Sequence, residues 1–224
     1  MNIKRYFLVL IFTFMSFSVF AAAEIKTDEQ KLSYSMGTYF AMGITQQDII
    51  LDVPAFIQAI DDVLNKNDPQ INTEEMKGIL EKYKETLAAE ETMAVVRNKE
   101  EGEVFLAENK KKEGVIETAS GLQYKILTKG SGKNPAAGSN VTVHYEGRLI
   151  DGTVFDSSYA RGEPATFSLG QVIKGWQEAV PMMTTGAKWQ IYVPAALAYG
   201  DRAASELIGP GSTLIFDIEL ISVN

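Results

Sequence analysis

The chain contains no cysteine and only one histidine among its 224 residues. Without thiols it can form no disulfide, perform no thiolate chemistry and carry no lipid on an N-terminal cysteine. The single histidine, His144, rules out a histidine-rich metal site and leaves a Ser-His-Asp triad dependent on that one residue. Strand alternation in residues 141–145 places His144 on the face opposite Tyr145, so we do not expect it to be catalytic.

Positive charge is also outnumbered, since 21 lysines and arginines stand against 29 aspartates and glutamates and the formal net charge is -8 at pH 7. Duplex-binding proteins usually present a basic face, so nucleic acid is not an expected partner. The tight basic run at residues 110–112 lies between Glu108 and Glu113 and is interpreted as a solvated helix end. Residues 170–175 have the glycine spacing of a phosphate loop, but Trp176 stands where that motif needs a lysine. No cofactor and no metal site is therefore predicted.

Long apolar runs are confined to the N-terminus. Lys4 and Arg5 precede an uncharged run over residues 6–20, which is followed by three alanines and then Glu24. This is the pattern of a secretory signal peptide, and its apolar part is short for a spanning helix, which needs about 20 residues. We predict a signal peptide over residues 1–23, export of the chain and no membrane span after cleavage. Removal of the two cations would bring the formal charge from -8 to -10.

Two amphipathic helices are predicted within residues 24–71. The first covers residues 31–43, and the second begins with Asp52 as N-cap and Pro54 in its first turn. Together they form a unit too small to bury a stable core of its own. We therefore expect their apolar faces to pack against a second copy of the chain, giving a homodimer through residues 24–87.

A much longer helix is predicted over residues 72–113, with Asn72 as its N-cap. At 1.5 Å per residue a helix of this length would extend about 60 Å. Its middle, residues 88–103, has few large apolar side chains and is interpreted as a solvent-exposed spacer arm. A kink near Gly102 would be compatible with the sequence.

The hydrophobic pattern changes to that of strands after Gly114. Asp151 and Gly152 form a strong hairpin signal between two such segments, and one short helix fits residues 174–180. Strands around a single short helix indicate an α+β fold with an antiparallel sheet over residues 114–224. The strand-like segments are residues 122–127, 141–149, 165–169, 188–193 and 213–223.

This C-terminal half is rich in aromatic side chains. Packing in a hydrophobic core accounts for part of the set, but several members stand beside glycines and turns, which favours the rim of a cavity. The aromatic residues in question are Tyr145, Phe155, Phe167, Trp176, Trp189, Tyr192, Tyr199 and Phe216.

Four blocks of sequence resemble the domain of FKBP-type peptidyl-prolyl cis/trans isomerases. They occur in the family's order across residues 119–224, as residues 141–158, 170–179, 198–200 and 209–220. The N-terminal half is similar in layout to the macrophage infectivity potentiator (Mip) subfamily, which combines a signal peptide, dimerisation helices, a long connecting helix and the isomerase domain. Residues 32–37 and 105–110 fit that layout.

The resemblance implies a proline-binding pocket with Trp176 as its floor. The Ile173 backbone and the Tyr199 hydroxyl would bind the peptide, and Asp156 would be a polar wall group tied to Tyr145 and Arg161. Two departures, Ala165 and the pair Ala203 and Ala204, bear on substrate preference and on affinity for inhibitors. The implied positions are Asp156, Tyr199, Trp176 and Phe216 for catalysis, and Tyr145, Phe155, Arg161, Phe167, Val172, Ile173 and Ile208 for substrate binding.

The activity implied is isomerisation of X-Pro bonds in exported or envelope proteins, joined to folding-chaperone activity of the dimer. Expected partners are proline-containing unfolded or partly folded polypeptides, a second copy of the chain and the family's macrolide inhibitors. The expected location is the periplasm, the outer membrane or the cell surface of a Gram-negative bacterium. The alternative is a non-catalytic chaperone or adhesin that uses the same pocket to grip peptides; such a module would not need the full set of pocket residues. A hydrolase is disfavoured because the sequence offers no credible nucleophile–base pair.

Overall fold

The computed structural model describes residues 24–45 and 49–224 of the chain. The predicted signal peptide, residues 1–23, lies outside the described residues. The chain divides after Asp68 into two compact units, which are described separately. Within the described ranges, no helix combines the length and the apolar character that crossing a membrane requires.

The first unit contains two helices, α1 (Asp28–Thr45) and α2 (Val53–Leu64). The Asp52 carboxylate accepts a hydrogen bond from the Ala55 N–H at 3.0 Å, and Pro54 lies in the first turn of α2, as predicted. Phe40 of α1 stacks on Phe56 of α2 with ring centroids 4.9 Å apart. Neither helix has a fully buried residue, so in one copy most of their large apolar side chains are exposed to solvent.

The second unit begins with the long helix α3 (Thr73–Asn109), capped by Asn72, which accepts from the Glu75 N–H at 2.9 Å. The helix runs without a break through Gly102. The prediction of a solvent-exposed arm over residues 88–103 is wrong for its later part, where Gly102 is buried and Asn98 is partly buried. These positions escaped a search for apolar periodicity because the contacts are made by small and polar residues.

The rest of the second unit is one antiparallel sheet, so the predicted α+β class is confirmed. The strand order is β1-β2-β6-β7-β3-β4, and β5 pairs with β3 on a separate branch. The predicted segments match strands within a residue or two at each end, whereas the three-residue β1 was not predicted. The strands are β1 (Val115–Glu117), β2 (Gln123–Thr128), β3 (Asn140–Leu149), β4 (Val154–Ser157), β5 (Ala165–Ser168), β6 (Lys188–Val193) and β7 (Leu214–Val223).

The long strand β3 lies at the centre of this domain because it pairs with β4, β5 and β7. Its predicted alternation is confirmed: Val141, Val143 and Tyr145 are buried, and His144 points to the opposite face. The β3–β4 hairpin turns at Asp151 and Gly152, where the glycine takes a φ of +93° that residues with a side chain rarely adopt.

Two short helices complete the domain, α4 (Ser158–Arg161) and α5 (Lys174–Ala179). The predicted helix at residues 174–180 is α5, whereas α4 was not predicted. The core lies between α5 and the inner face of the sheet, with Trp176 and Ala179 of the helix against strand residues such as Ile218. Trp189 of β6 stacks on Tyr124 of β2, with centroids 4.5 Å apart.

Candidate active site

A cavity of about 490 Å³ opens on the inner side of the sheet, above α5. Aromatic and aliphatic side chains form most of its surface, with a few polar groups on one side. Such a largely apolar cavity with a few polar groups is typical of small-molecule and peptide sites. It is lined by Tyr145, Phe155, Asp156, Phe167, Gln171, Val172, Ile173, Trp176, Tyr199, Ala204, Ser205, Ile208 and Phe216.

Trp176 is surrounded at the cavity by three other aromatic side chains. The rings of Tyr145, Phe167 and Phe216 stand nearly perpendicular to the indole, each with its centroid 5.4–5.6 Å away. Edge-to-face geometry of this kind is favourable for aromatic quadrupoles. The indole is only 4% exposed, and its Nε1 has no hydrogen-bond partner among the described residues.

Close backbone packing brings α5 to this position. A Cβ atom at Gly175 would lie 2.5 Å from Cγ1 of Val193 in β6, so only glycine allows the helix to approach the sheet this closely. Gly147 of β3 plays a similar role, because a Cβ there would lie 2.5 Å from the ring of Phe155. The glycines thus create room in which the aromatic side chains pack.

The polar side of the cavity is a three-residue network. Asp156 of β4 accepts hydrogen bonds from the Tyr145 hydroxyl and from the Arg161 guanidinium. Arg161, from α4, also donates to the Tyr145 hydroxyl at 3.0 Å. The network fixes the Asp156 carboxylate at the cavity wall.

The same network sets the ionisation of its members. Burial acts to raise the pKa of Asp156, but the hydrogen bonds from Tyr145 and Arg161 outweigh it, and the pKa lies below its ordinary value. Burial, followed by the hydrogen bond to Asp156, raises the pKa of Tyr145. At neutral pH the wall therefore presents an ionised carboxylate and a protonated phenol.

The open edge of the cavity is formed by Ile173, at the start of α5, and by Tyr199. Tyr199 is 46% exposed, and its hydroxyl has no hydrogen-bond partner among the described residues. A peptide entering the cavity would meet this hydroxyl as an available donor. The carbonyl of Ile173 is already used, because it accepts from the N–H groups of Trp176 and Gln177.

Ten of the eleven positions predicted from the sequence line the cavity. The exception is Arg161, which contacts the site through Asp156 and Tyr145. The roles of these residues remain predictions. Ala165, which stands where the family often has an aromatic lining residue, is not among the residues that line this cavity. Sequence reasoning missed Gln171, Ala204 and Ser205; the only signal for Ala204 was the departure from the family pattern in that loop.

His144 lies on the other side of the sheet, outside the cavity lining. Its Nδ1 is 3.0 Å from the Ser158 hydroxyl, and its ring stacks on Tyr159. Ser158 is completely buried and also bonds the Tyr145 backbone, accepting from its N–H at 2.8 Å. This serine–histidine contact joins the start of α4 to β3, and neither residue lines the cavity.

Both halves of the chain match models of one protein family. The family model for FKBP-type peptidyl-prolyl cis-trans isomerase matches residues 131–221. The model for the domain amino terminal to FKBP-type peptidyl-prolyl isomerase matches residues 29–126. The matched ranges together contain α2, α3 and nearly all of α1 and of the sheet.

Relatives cover nearly the whole chain. The peptidyl-prolyl cis-trans isomerase Mip of Coxiella burnetii is 45% identical over 207 residues, which are 91% of this chain and 90% of that protein. The outer membrane protein MIP of Legionella longbeachae is 43% identical over 90% of this chain and 88% of its own length. The crystal structure of FkpA from Escherichia coli superposes with a TM-score of 0.64 at 32% identity, covering 90% of this chain and 99% of that one. The chain therefore belongs to the FKBP-type peptidyl-prolyl cis-trans isomerases, as a member similar to the Mip proteins.

Proposed function

We propose that this isomerase binds the proline of an X-Pro segment against the face of Trp176 and lowers the barrier to rotation of the preceding amide. The observation that carries the proposal is the arrangement of the cavity: an indole floor enclosed by three perpendicular rings, next to a single polar wall at Asp156. An apolar five-membered ring fits such a floor, and the peptide backbone on either side can reach the polar edge.

The reaction breaks no bond, so the site needs no nucleophile, and the residues act by solvation and positioning. The barrier to rotation, about 18–20 kcal/mol, comes from amide resonance. The planar amide carries the charge separation of that resonance, whereas the twisted transition state has lost part of it. A dry apolar cavity therefore disfavours the planar amide relative to the twisted one, which is differential binding of the transition state.

Hydrogen bonds at the edge would hold the peptide while one flank turns. The Tyr199 hydroxyl and the Ile173 backbone N–H are assigned to the peptide on one side of the proline. Asp156 is assigned to the other side as a fixed carboxylate. In this scheme Phe216 and the remaining lining residues exclude water, which strengthens the electrostatic contacts.

A proline-limited refolding assay on residues 24–224 tests these roles. We expect Asp156→Asn and Tyr199→Phe each to lower kcat/KM severalfold or more, because each removes one group that holds the peptide. Gln58→Ala, a change on α2 in the other unit, serves as the control. Unchanged kcat/KM in both pocket variants would show that the roles are wrongly assigned.

The enzyme is further proposed to act as a homodimer and as a chaperone, through residues 24–87. Support comes from α1 and α2, which bury nothing in one copy and expose apolar side chains such as Tyr39 at 82% and Val63 at 73%. Two linked pockets would hold a client polypeptide by avidity even if each binds weakly. The assigned regions are residues 24–71 for dimerisation, 72–113 for connection and 114–224 for catalysis.

The clients are proposed to be unfolded or partly folded proteins of the cell envelope, and the enzyme is proposed to be located in the periplasm, at the outer membrane or at the cell surface. The N-terminal pattern of residues 1–23 supports export, and one relative is named an outer membrane protein. The family's macrolide inhibitors are proposed to compete for the same cavity. A purely binding role is not favoured, because relatives at 40% and 45% identity are named isomerases and the aromatic set of the cavity is complete.

A further inference from the structure

We propose that helix α3 holds the outer wall of the cavity in place, so that Asn98 is a positioning residue of the isomerase site; this rests on the proposed function of the cavity. The wall in question is the segment from Tyr199 to Thr213, called here the pocket loop. It lies between the single turn Ala195–Leu197 and strand β7. Four of its residues line the cavity: Tyr199, Ala204, Ser205 and Ile208.

Two side chains of α3 bind the pocket loop directly. The Asn98 side-chain amide donates a hydrogen bond to the carbonyl of Pro210 at 2.8 Å in a partly buried position. One residue further along, the Lys99 ammonium lies 2.6 Å from the Asp201 carboxylate. The Asn98 bond is the stronger restraint, since the Lys99 pair is largely exposed to solvent, where ion pairs contribute little.

The helix and the pocket loop also touch through their backbones. Gly211 has a φ of +75°, and a Cβ there would lie 2.8 Å from the carbonyl oxygen of Val95 in α3. Gly102 of α3 faces the end of the pocket loop, and a Cβ added at Gly102 would lie 2.2 Å from the Thr213 hydroxyl oxygen. Glycine is therefore required on both sides of this contact, which makes the contact a close and specific one.

Hydrogen bonds within the pocket loop connect these anchor points to the cavity. Gly211 N–H donates to the carbonyl of Gly200 at 2.9 Å, next to Tyr199. Ala204 N–H donates to the carbonyl of Ile208 at 2.9 Å, and Ile208 N–H to the Ser205 hydroxyl at 3.1 Å. A shift of residues 210–211 away from α3 would consequently displace the wall residues.

Apart from these hydrogen bonds, little else within the loop holds it in place. It pairs with none of the described strands, and residues 201–207 are exposed. Segments with few buried contacts open locally at small free energies. The contacts with α3 therefore determine the fraction of molecules in which the wall is in its binding position. Loss of these contacts would weaken substrate binding more than it would slow isomerisation of the bound substrate.

The first test is kinetic and compares Asn98→Ala with Arg97→Ala in residues 24–224. Arg97 is the adjacent exposed residue of α3, and its side chain makes no hydrogen bond or ion pair in the described part of the chain. We expect Asn98→Ala to raise KM for a proline peptide about fivefold at unchanged kcat. A change of this size corresponds to the net contribution of one hydrogen bond, here the bond from Asn98 to the Pro210 carbonyl. Equal KM values for the two variants would overturn the proposal.

A second test measures the pocket loop itself by amide hydrogen exchange. In Asn98→Ala we expect faster exchange at Gly211 and Ala204 and unchanged exchange in β3. Faster exchange throughout the domain would overturn the proposal, because Asn98 would then only stabilise the fold. This test does not need catalysis, so inactivity of the unsubstituted enzyme would refute the proposed function alone.

A pair of glycine substitutions gives a matched control for backbone strain. Gly211→Ala and Gly138→Ala both place a side chain at positive φ, +75° and +81°, but only the first meets the helix. We expect Gly211→Ala alone to raise KM. The same KM in both variants would show that contact with α3 does not matter to the site.

Discussion

The two compact units of the chain differ in the solvent exposure of their apolar side chains. In the sheet domain, residues such as Val143, Ile191 and Ile218 are completely buried within one copy. In the helical unit, α1 and α2 bury nothing, although both carry large apolar residues. The sheet domain therefore has a core within one copy, whereas α1 and α2, among the described residues, leave most of their apolar side chains exposed apart from the Phe40–Phe56 stack. A substitution should therefore act through folding in one unit and through association in the other.

The largest effect is expected at Trp176. Replacing it with alanine should lower the free energy of unfolding of the sheet domain by about 3–5 kcal/mol, since truncation of a buried large aromatic leaves a cavity. Tyr39→Ala, at an aromatic residue of the helical unit that is exposed in one copy, is the matched variant. Urea unfolding is measured at a concentration where the chain is monomeric. Under this condition Tyr39→Ala should change the free energy of unfolding of the sheet domain by no more than about 0.5 kcal/mol. Similar losses in both variants would remove the contrast between the units.

A charge introduced into the helical unit should instead change the oligomeric state of the protein. Ile57→Asp places a carboxylate on the exposed apolar face of α2, and burying it in an interface would be unfavourable. Light scattering on residues 24–224 should give twice the chain mass for the unsubstituted protein and a single chain mass for the variant. Gln70→Asp adds the same charge outside the helices and should remain dimeric.

A monomeric unsubstituted protein would contradict the homodimer, and a dimeric Ile57→Asp variant would move the interface away from α2. Activity on a short proline peptide should be the same in Ile57→Asp and Gln70→Asp, because such a peptide occupies only one cavity.

The smallest effect is expected from pH and is confined to the sheet domain. The hydrogen bonds from Tyr145 and Arg161 hold the pKa of Asp156 below its ordinary value despite burial. A group with a lowered folded-state pKa contributes stability above its unfolded value, about 3.9, and loses it as the pH falls through the folded value. The unfolding free energies of the unsubstituted chain and Asp156→Asn should therefore converge below about pH 4. If the two unfolding free energies differed by a constant amount from pH 3 to pH 7, the lowered pKa of Asp156 would be contradicted.

Local patterns were sufficient to predict much of the fold. The alternation in residues 141–145 gave the inner face of β3, and the Asp52 and Pro54 signals gave the start of α2, because both depend on neighbours in sequence. The approach of Gly102 to Thr213 could not be predicted in this way. It joins residues more than a hundred positions apart and uses no apolar side chain.

The candidate site was predicted in a different way. Its lining residues, such as Phe155 and Trp176, were predicted from the resemblance of their sequence blocks to the isomerase family, and ten of the eleven predicted positions line the cavity. Ala204 and Ser205 lie in the pocket loop, whose path is set by distant contacts rather than by its own sequence. Their small side chains also give no signal in a search for aromatic or charged groups.

The edge-to-face enclosure of Trp176 has a practical consequence. The chain has only two tryptophans, and the other, Trp189, is stacked on Tyr124 and is not among the cavity-lining residues. A ligand on the cavity floor would alter the surroundings of one indole and leave those of the other unchanged. The intrinsic fluorescence of the protein thus contains both a reporter of occupancy and an internal reference, without any added label.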